Sequence, residues 1–202
     1  MAKAFSEQER NRIESVLLAT AERYMGTRGI QKTSVDELAA EAGISKGAFY
    51  AFYRSKEELF FRVIMRFHER VEGDFMRRLS ALGTPGVEGF TALILDFFHE
   101  VDASFYPGLL SSGELERLFR SLPDDLVALH EHNDADLFAG LGRFIPCLAS
   151  IDVDAYSAAF RAIFLLLLHK KDIGEASFEK VLQIIVSGTV RRMFDEASPG
   201  EA

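Results

Sequence analysis

Tryptophan is missing from the chain, and cysteine occurs once, at Cys147. One thiol can form no internal disulfide, so packing must hold the fold together, and nothing suggests a secreted, crosslinked scaffold. Proline is scarce, five in 202 residues, and Pro85, Pro107, Pro123 and Pro146 fall at breaks between long periodic segments. Long apolar runs are absent: the longest, Ala162 to Leu168, is far short of the ~20 residues that a membrane-spanning helix needs. No secretory leader is apparent, because Met1-Ala2-Lys3-Ala4-Phe5 passes at once into Ser6-Glu7-Gln8-Glu9-Arg10. These absences together predict a soluble, cytoplasmic chain with no membrane partner.

The signatures of catalysis are missing too. There is no Ser/His/Asp elbow, no glycine-rich phosphate loop and no HExxH motif. His130-Glu131-His132 does not make a metal site, since residues two apart on a helix point nearly opposite ways. With His68, His99 and His169 scattered, no metal, no cofactor and no enzymatic activity are expected.

The net charge is −8, which at first argues against a nucleic-acid partner. It is unevenly divided. Residues 1–56 carry nine Lys/Arg against seven Asp/Glu, a net of +2 that leaves −10 for the remainder. A mildly basic N-terminal end and an acidic bulk agree with oriented docking on a polyanion.

Within that basic end, Thr33 to Leu59 reads as two short helices joined by a tight turn at Gly43, with another helix beginning just afterwards. Val35, Leu38, Ala39 and Ala42 recur at helical spacing, and Gly43 can take the left-handed conformation that stops the helix. Ser45 caps a helix too short to be stable alone. That helix exposes Ser45, Lys46, Gly47, Ala48, Tyr50 and Ala51 and buries Phe49 and Tyr53. A helix held across a supporting helix, with small, hydroxyl and basic groups outward, fits a DNA major groove. Gly47 and Ala48 waste burial in a core but permit close approach to a base edge or phosphate. Thr33 and Ser34, at a helix N-terminus, can offer hydroxyl and main-chain N–H groups to a phosphate.

The run Ala42 to Leu59, with Gly29, Thr33 and Ser34 ahead of it, resembles the N-terminal DNA-binding domain of the TetR family of transcriptional regulators. The resemblance covers roughly the first quarter of the chain; the rest is similar only in length and helical character. It implies that Ser45, Lys46, Gly47, Ala48 and Ala51 face the groove and that Tyr50 and Lys56 hold phosphates. Lys46 is the best candidate for a guanine contact, with phosphate binding close behind. Phe52 departs from the pattern, standing where relatives often have Tyr or His; it either packs inward or touches a thymine methyl.

The remaining elements are helical. Ser6 and Glu9 form a capping-box signature for a helix ending near Gly26, and Ser55 with Glu58 repeats the spacing for a long helix to about Leu79. Phe60, Val63, Ile64, Phe67, Val71 and Phe75 share its apolar stripe, and it is long enough to connect two domains. Helices are predicted after Gly86, around Ser112 to Arg120, from Pro123 to about Phe144, from Asp154 to Lys170 and from Ser177 to Asp195. The expected fold is all-α, about nine helices. Residues 1–56 form a three-helix helix–turn–helix domain, joined by the long helix to a ligand-binding and dimerisation bundle over residues 57–202.

Polar residues on apolar stripes mark a candidate ligand site in that bundle: His68, Asp102, His130 and Asn133, with Phe98 and Phe144 beside them. Pairing among themselves or with solvent explains each of the four polar residues equally well. The last two long helices are apolar almost all round, and a second copy of the chain is their natural second cover. Phe160, Phe164, Leu168, Leu182, Ile185 and Gly188 are the candidate dimer residues. The sequence thus reads as a homodimeric repressor that binds a palindromic double-stranded operator and is released by a small, largely apolar effector. The alternatives are a carrier or enzyme that retains a vestigial helix–turn–helix, or an activator.

Overall fold

A computed structural model of the chain describes residues 5–123, 126, 145 and 151–197, and every regular element among them is a helix. In chain order these are α1 (Glu7–Thr27), α2 (Val35–Glu41), α3 (Lys46–Phe49), α4 (Lys56–Leu82), α5 (Val87–Asp102), α6 (Tyr106–Ser111), α7 (Glu114–Ser121), α8 (Val153–Leu168), α9 (Lys170–Ile173) and α10 (Glu175–Ala197). The all-α expectation holds, with two short additions. The break expected at Tyr106-Pro107-Gly108 is the start of α6, where proline in a first turn removes no needed hydrogen bond. A single turn, α9, follows the end of α8. The helix predicted from Pro123 to about Phe144 falls almost wholly outside the described residues, and His130, Asn133 and Phe144 lie there with it.

Two compact units divide the chain, one formed by Met1–His68 with Gly108–Val127, the other by Glu69–Pro107 with Ala128–Ala202. α4 supplies residues to both. The first unit's core takes one or more fully buried side chains from each of its first four helices: Leu17 and Ala21, Leu38, Phe49, then Leu59, Phe60 and Ile64. Each helix start is capped as its sequence suggests. Ser6 and Ser34 make complete capping boxes with Glu9 and Glu37, and Ser45 accepts from the Ala48 N–H. At α4, Ser55 Oγ accepts the Glu58 N–H, while the Glu58 carboxylate accepts from Arg54 N–H at 2.8 Å.

The Ser34 N–H and hydroxyl, and then Arg28, hold the Glu37 carboxyl below its ordinary pKa. A depressed carboxyl stabilises above its unfolded value and loses that contribution as pH falls through the folded one. Ser34→Ala, which removes the hydroxyl but keeps the N–H, is therefore expected to destabilise the chain at neutral pH. The deficit should shrink in acid, which thermal melts across pH would show; a deficit that grows in acid would contradict it.

In the second unit α5 and α10 form the main helix pair. Phe90, Leu93, Ile94, Phe98 and Val101 of α5 are buried, as are Leu182, Val186, Val190 and Met193 of α10 and Phe160, Ile163 and Leu167 of α8. Phe75 meets Phe90 and Phe97 edge to face, at 6.5 and 5.8 Å between ring centroids. No helix among the described residues is long and apolar enough to cross a membrane.

Candidate nucleic-acid interface

Gly43 ends α2 with φ +69°, the turn that lets α3 cross over α2. With four residues α3 has no stability of its own; Phe49, fully buried, pins it to the core. Tyr53 is buried beside it, and its hydroxyl donates to Glu14 Oε1 at 3.3 Å. Burial first, and the Glu14 carboxylate second, push the Tyr53 phenol well above its ordinary range. The opposite face is open: Ser45, Lys46, Gly47 and Ala51 are exposed, Ala48 is half-buried, and Tyr50 is 52% exposed. This is the inside-out division expected of a groove-reading helix.

Beside α3 runs an open cleft of about 520 Å³, bounded by the starts of α2 and α4. Lys32, Lys46, Arg54, Lys56 and Tyr50 line it, against two carboxylates, Asp36 and Glu57. Two helix N-termini and four cations facing one cleft suit a phosphate. Lys32 and Arg54 belong to this surface although the helical pattern alone does not select them; their signal is positive charge beside a cap.

Several predicted contacts are already engaged within the chain. Thr33 is buried, with its hydroxyl donating to Gly29 O at 2.9 Å and its N–H to Ile30 O at 3.2 Å. Ser34 gives both N–H and hydroxyl to Glu37 Oε2, each at 2.8 Å. The main-chain donors this helix start can offer are those of Val35 and Asp36, which no intrahelical carbonyl reaches. Lys56 Nζ donates to Ile30 O at 3.1 Å and Thr33 O at 2.8 Å, and an ammonium has a third N–H for a phosphate. Phe52 packs inward: it is half-buried, its ring 5.8 Å from Phe5 and 4.8 Å below the Arg10 guanidinium.

Lys46 Nζ sits 2.8 Å from Asp36 Oδ2, and this bond and charge raise its pKa. A phosphate or guanine held by Lys46 would have to displace Asp36. Asp36→Asn is expected to raise affinity for duplex of any sequence by about two- to fivefold at low salt, within what an exposed ion pair contributes. Unchanged affinity in a titration would show that Lys46 meets no DNA.

Residues 17–63 match the family model described as bacterial regulatory proteins, tetR family. This segment is similar to the DNA-binding domain of the TetR family. Over 69 residues it is 39% identical to the HTH-type transcriptional regulator EthR of Mycolicibacterium smegmatis (strain ATCC 700084 / mc(2)155), an overlap of 34% of this chain and 32% of that one. The match thus spans about a third of that relative's length. The likeness in fold extends further. A transcriptional regulator from Rhodococcus sp. Rha1 aligns over 92% of this chain and 96% of its own, with TM-score 0.62 and 15% identity. RolR, solved in complex with the ligand resorcinol, aligns over 98% of both chains with TM-score 0.56 and 19% identity. At such identities the likeness is one of fold.

Outside the matched segment the candidate residues divide. His68 belongs to the first unit, Phe98 and Asp102 to the second. Phe98 is buried, and Asp102 accepts from Lys170 Nζ at 2.6 Å, so its charge is already answered. Phe160 and Leu182 are interior to their own unit. The exposed apolar surface of α8 and α10 is carried by Leu165, 54% exposed, and Ile184, 61% exposed, with Phe164, Leu168 and Ile185 half-buried and Gly188 open.

Proposed function

We propose that this chain is a ligand-responsive transcriptional regulator, acting as a homodimeric repressor on a palindromic operator. Residues 1–56 are the DNA-binding part and residues 57–202 the effector-binding and dimerisation part. One observation carries the reading: a short helix held from beneath by Phe49, with Lys46, Gly47, Tyr50 and Ala51 outward beside a cleft of four cations. In this reading α3 enters the major groove, Lys46 reads a guanine or holds a phosphate, and Tyr50 and Lys56 fix phosphates on either side. Two copies related by a two-fold axis place their α3 helices about 34–36 Å apart, on half-sites one helical turn apart.

The effector is a small, largely apolar molecule received by the phenylalanine-rich second unit, where Phe98 and the Asp102–Lys170 pair offer an apolar wall and a polar anchor. RolR's complex with resorcinol, on the same fold, supports this class of ligand. Such a ligand releases DNA only through its different affinity for the two states, and operator DNA weakens it by the same factor.

Lys56→Ala is expected to weaken binding to every duplex sequence and to reduce the salt slope of log K by about one, whereas Lys46→Ala relaxes preference at one or two base pairs. Titration at several salt concentrations reads both. Affinity that is weak and indifferent to salt in the parent chain favours a small-molecule carrier or enzyme.

A further inference from the structure

We propose that Glu114 is a positioning residue for DNA binding, acting through the α1–α2 loop on Lys56; the inference rests on reading the cleft as a phosphate-binding surface. Glu114 is the first residue of α7 and reaches back 84 positions along the chain. Its Oε2 accepts the Ile30 N–H at 2.9 Å, and its Oε1 accepts the Gln31 N–H at 3.2 Å. Two successive N–H groups aimed at one carboxylate form an anion cradle, filled by the chain's own side chain.

Gly29 makes this approach possible. Its φ is +83°, and a Cβ there would lie 2.7 Å from both Glu114 oxygens. Any other residue would strain the backbone and displace the carboxylate. From its other side the same loop is held by Lys56, whose Nζ takes the carbonyls of Ile30 and Thr33. Ile30 is therefore gripped at both main-chain groups, its N–H by Glu114 and its C=O by the lysine that would hold a phosphate. Without Glu114 the loop loses one grip, two N–H groups beside the buried Ile30 lose their acceptor, and the carbonyls that fix Lys56 are no longer fixed themselves. α7 lies outside the segment that matches the family model, so this carboxylate lets the later part of the chain set the geometry of the DNA surface.

The test is a double-mutant cycle on the full chain, with a mixed-sequence DNA duplex as probe and salt as second variable. Glu114→Ala is expected to lower affinity about tenfold in the parent, the effect of losing the charge-assisted bond from Lys56 to a phosphate. In a Lys56→Ala background the same change should cost less than about twofold, because its effect runs through Lys56. Each single variant should flatten the salt slope by about one, and the double variant no further. Glu116→Gln, which removes a like charge from the same helix but pairs with Arg120 rather than the loop, should cause no loss. If Glu114→Ala does not fold, as circular dichroism would show, Glu114→Gln keeps one acceptor and completes the cycle. A full tenfold loss in both backgrounds, or no loss in the parent, overturns the proposal. A parent chain without salt-dependent DNA binding fails the cleft reading itself, a separately visible result.

Discussion

Replacing Leu165 and Ile184 with glutamate is expected to turn a dimer into monomers and to weaken binding to a two-half-site duplex by at least about a hundredfold. Both side chains stand more than half exposed on α8 and α10, with half-buried Phe164, Leu168 and Ile185 on the same two helices. Covering large aliphatic groups on helices this apolar is favourable by roughly 25 cal/mol per Å² removed from water. A two-fold interface brings each residue near its own copy or that of its neighbour, so glutamate there places like charges together at low dielectric. Loss of the dimer removes the effective concentration that links two half-sites, a factor of about 10²–10⁴. Sedimentation reads the assembly, and titration against a palindromic and a half-site duplex reads the coupling. A dimer that survives both changes would place the interface elsewhere.

The second large effect is expected at a residue that meets no DNA. Phe49→Ala should cost about 3–5 kcal/mol of stability, the usual range for a buried phenylalanine, and abolish duplex binding altogether. α3 is four residues long and is held by this one fully buried ring, which lies 5.5 Å from Tyr50 and 6.1 Å from Tyr53 between centroids. Without it Lys46, Gly47 and Ala51 have no fixed relation to Lys56. Phe49→Leu, closer in volume, should cost less than about 1.5 kcal/mol and retain binding. Chemical denaturation monitored beside DNA titration checks both. DNA affinity that survives Phe49→Ala would mean α3 is not the presented element.

The reasons these residues matter differ in how far sequence exposes them. α1 to α4 were legible because their signals are local: a serine three residues before a glutamate, an apolar stripe, a glycine where a helix stops. The inward and outward faces of α3 followed from residue type, two aromatic rings against small, hydroxyl and basic groups. What was hidden depends on partners distant in sequence. Nothing near Lys56 says that its ammonium grips the carbonyls of Ile30 and Thr33, and nothing near Glu114 says that it reaches Ile30. Thr33 and Ser34 were both eligible to cap α2; Ser34 does so, while the bond from Thr33 to Gly29 O was hidden, because a cap residue and a phosphate donor look alike in sequence. α8 and α10 show the limit from the other side. Helices apolar all round do not tell which face meets their own chain, so Phe160 and Leu182 were as eligible for an interface as Leu165 and Ile184 until their burial was seen. α6 and α9 are too short, at six and four residues, to establish a period.

As proposed, α3 and its basic cleft read DNA as a symmetric pair. Selection of duplexes from a random-sequence library by the full chain, followed by salt titration of the winners, tests it most directly. The expected result is enrichment of an inverted repeat whose halves lie one helical turn apart, with log K falling linearly in log salt. No enriched sequence, or binding that salt leaves unchanged, would contradict it.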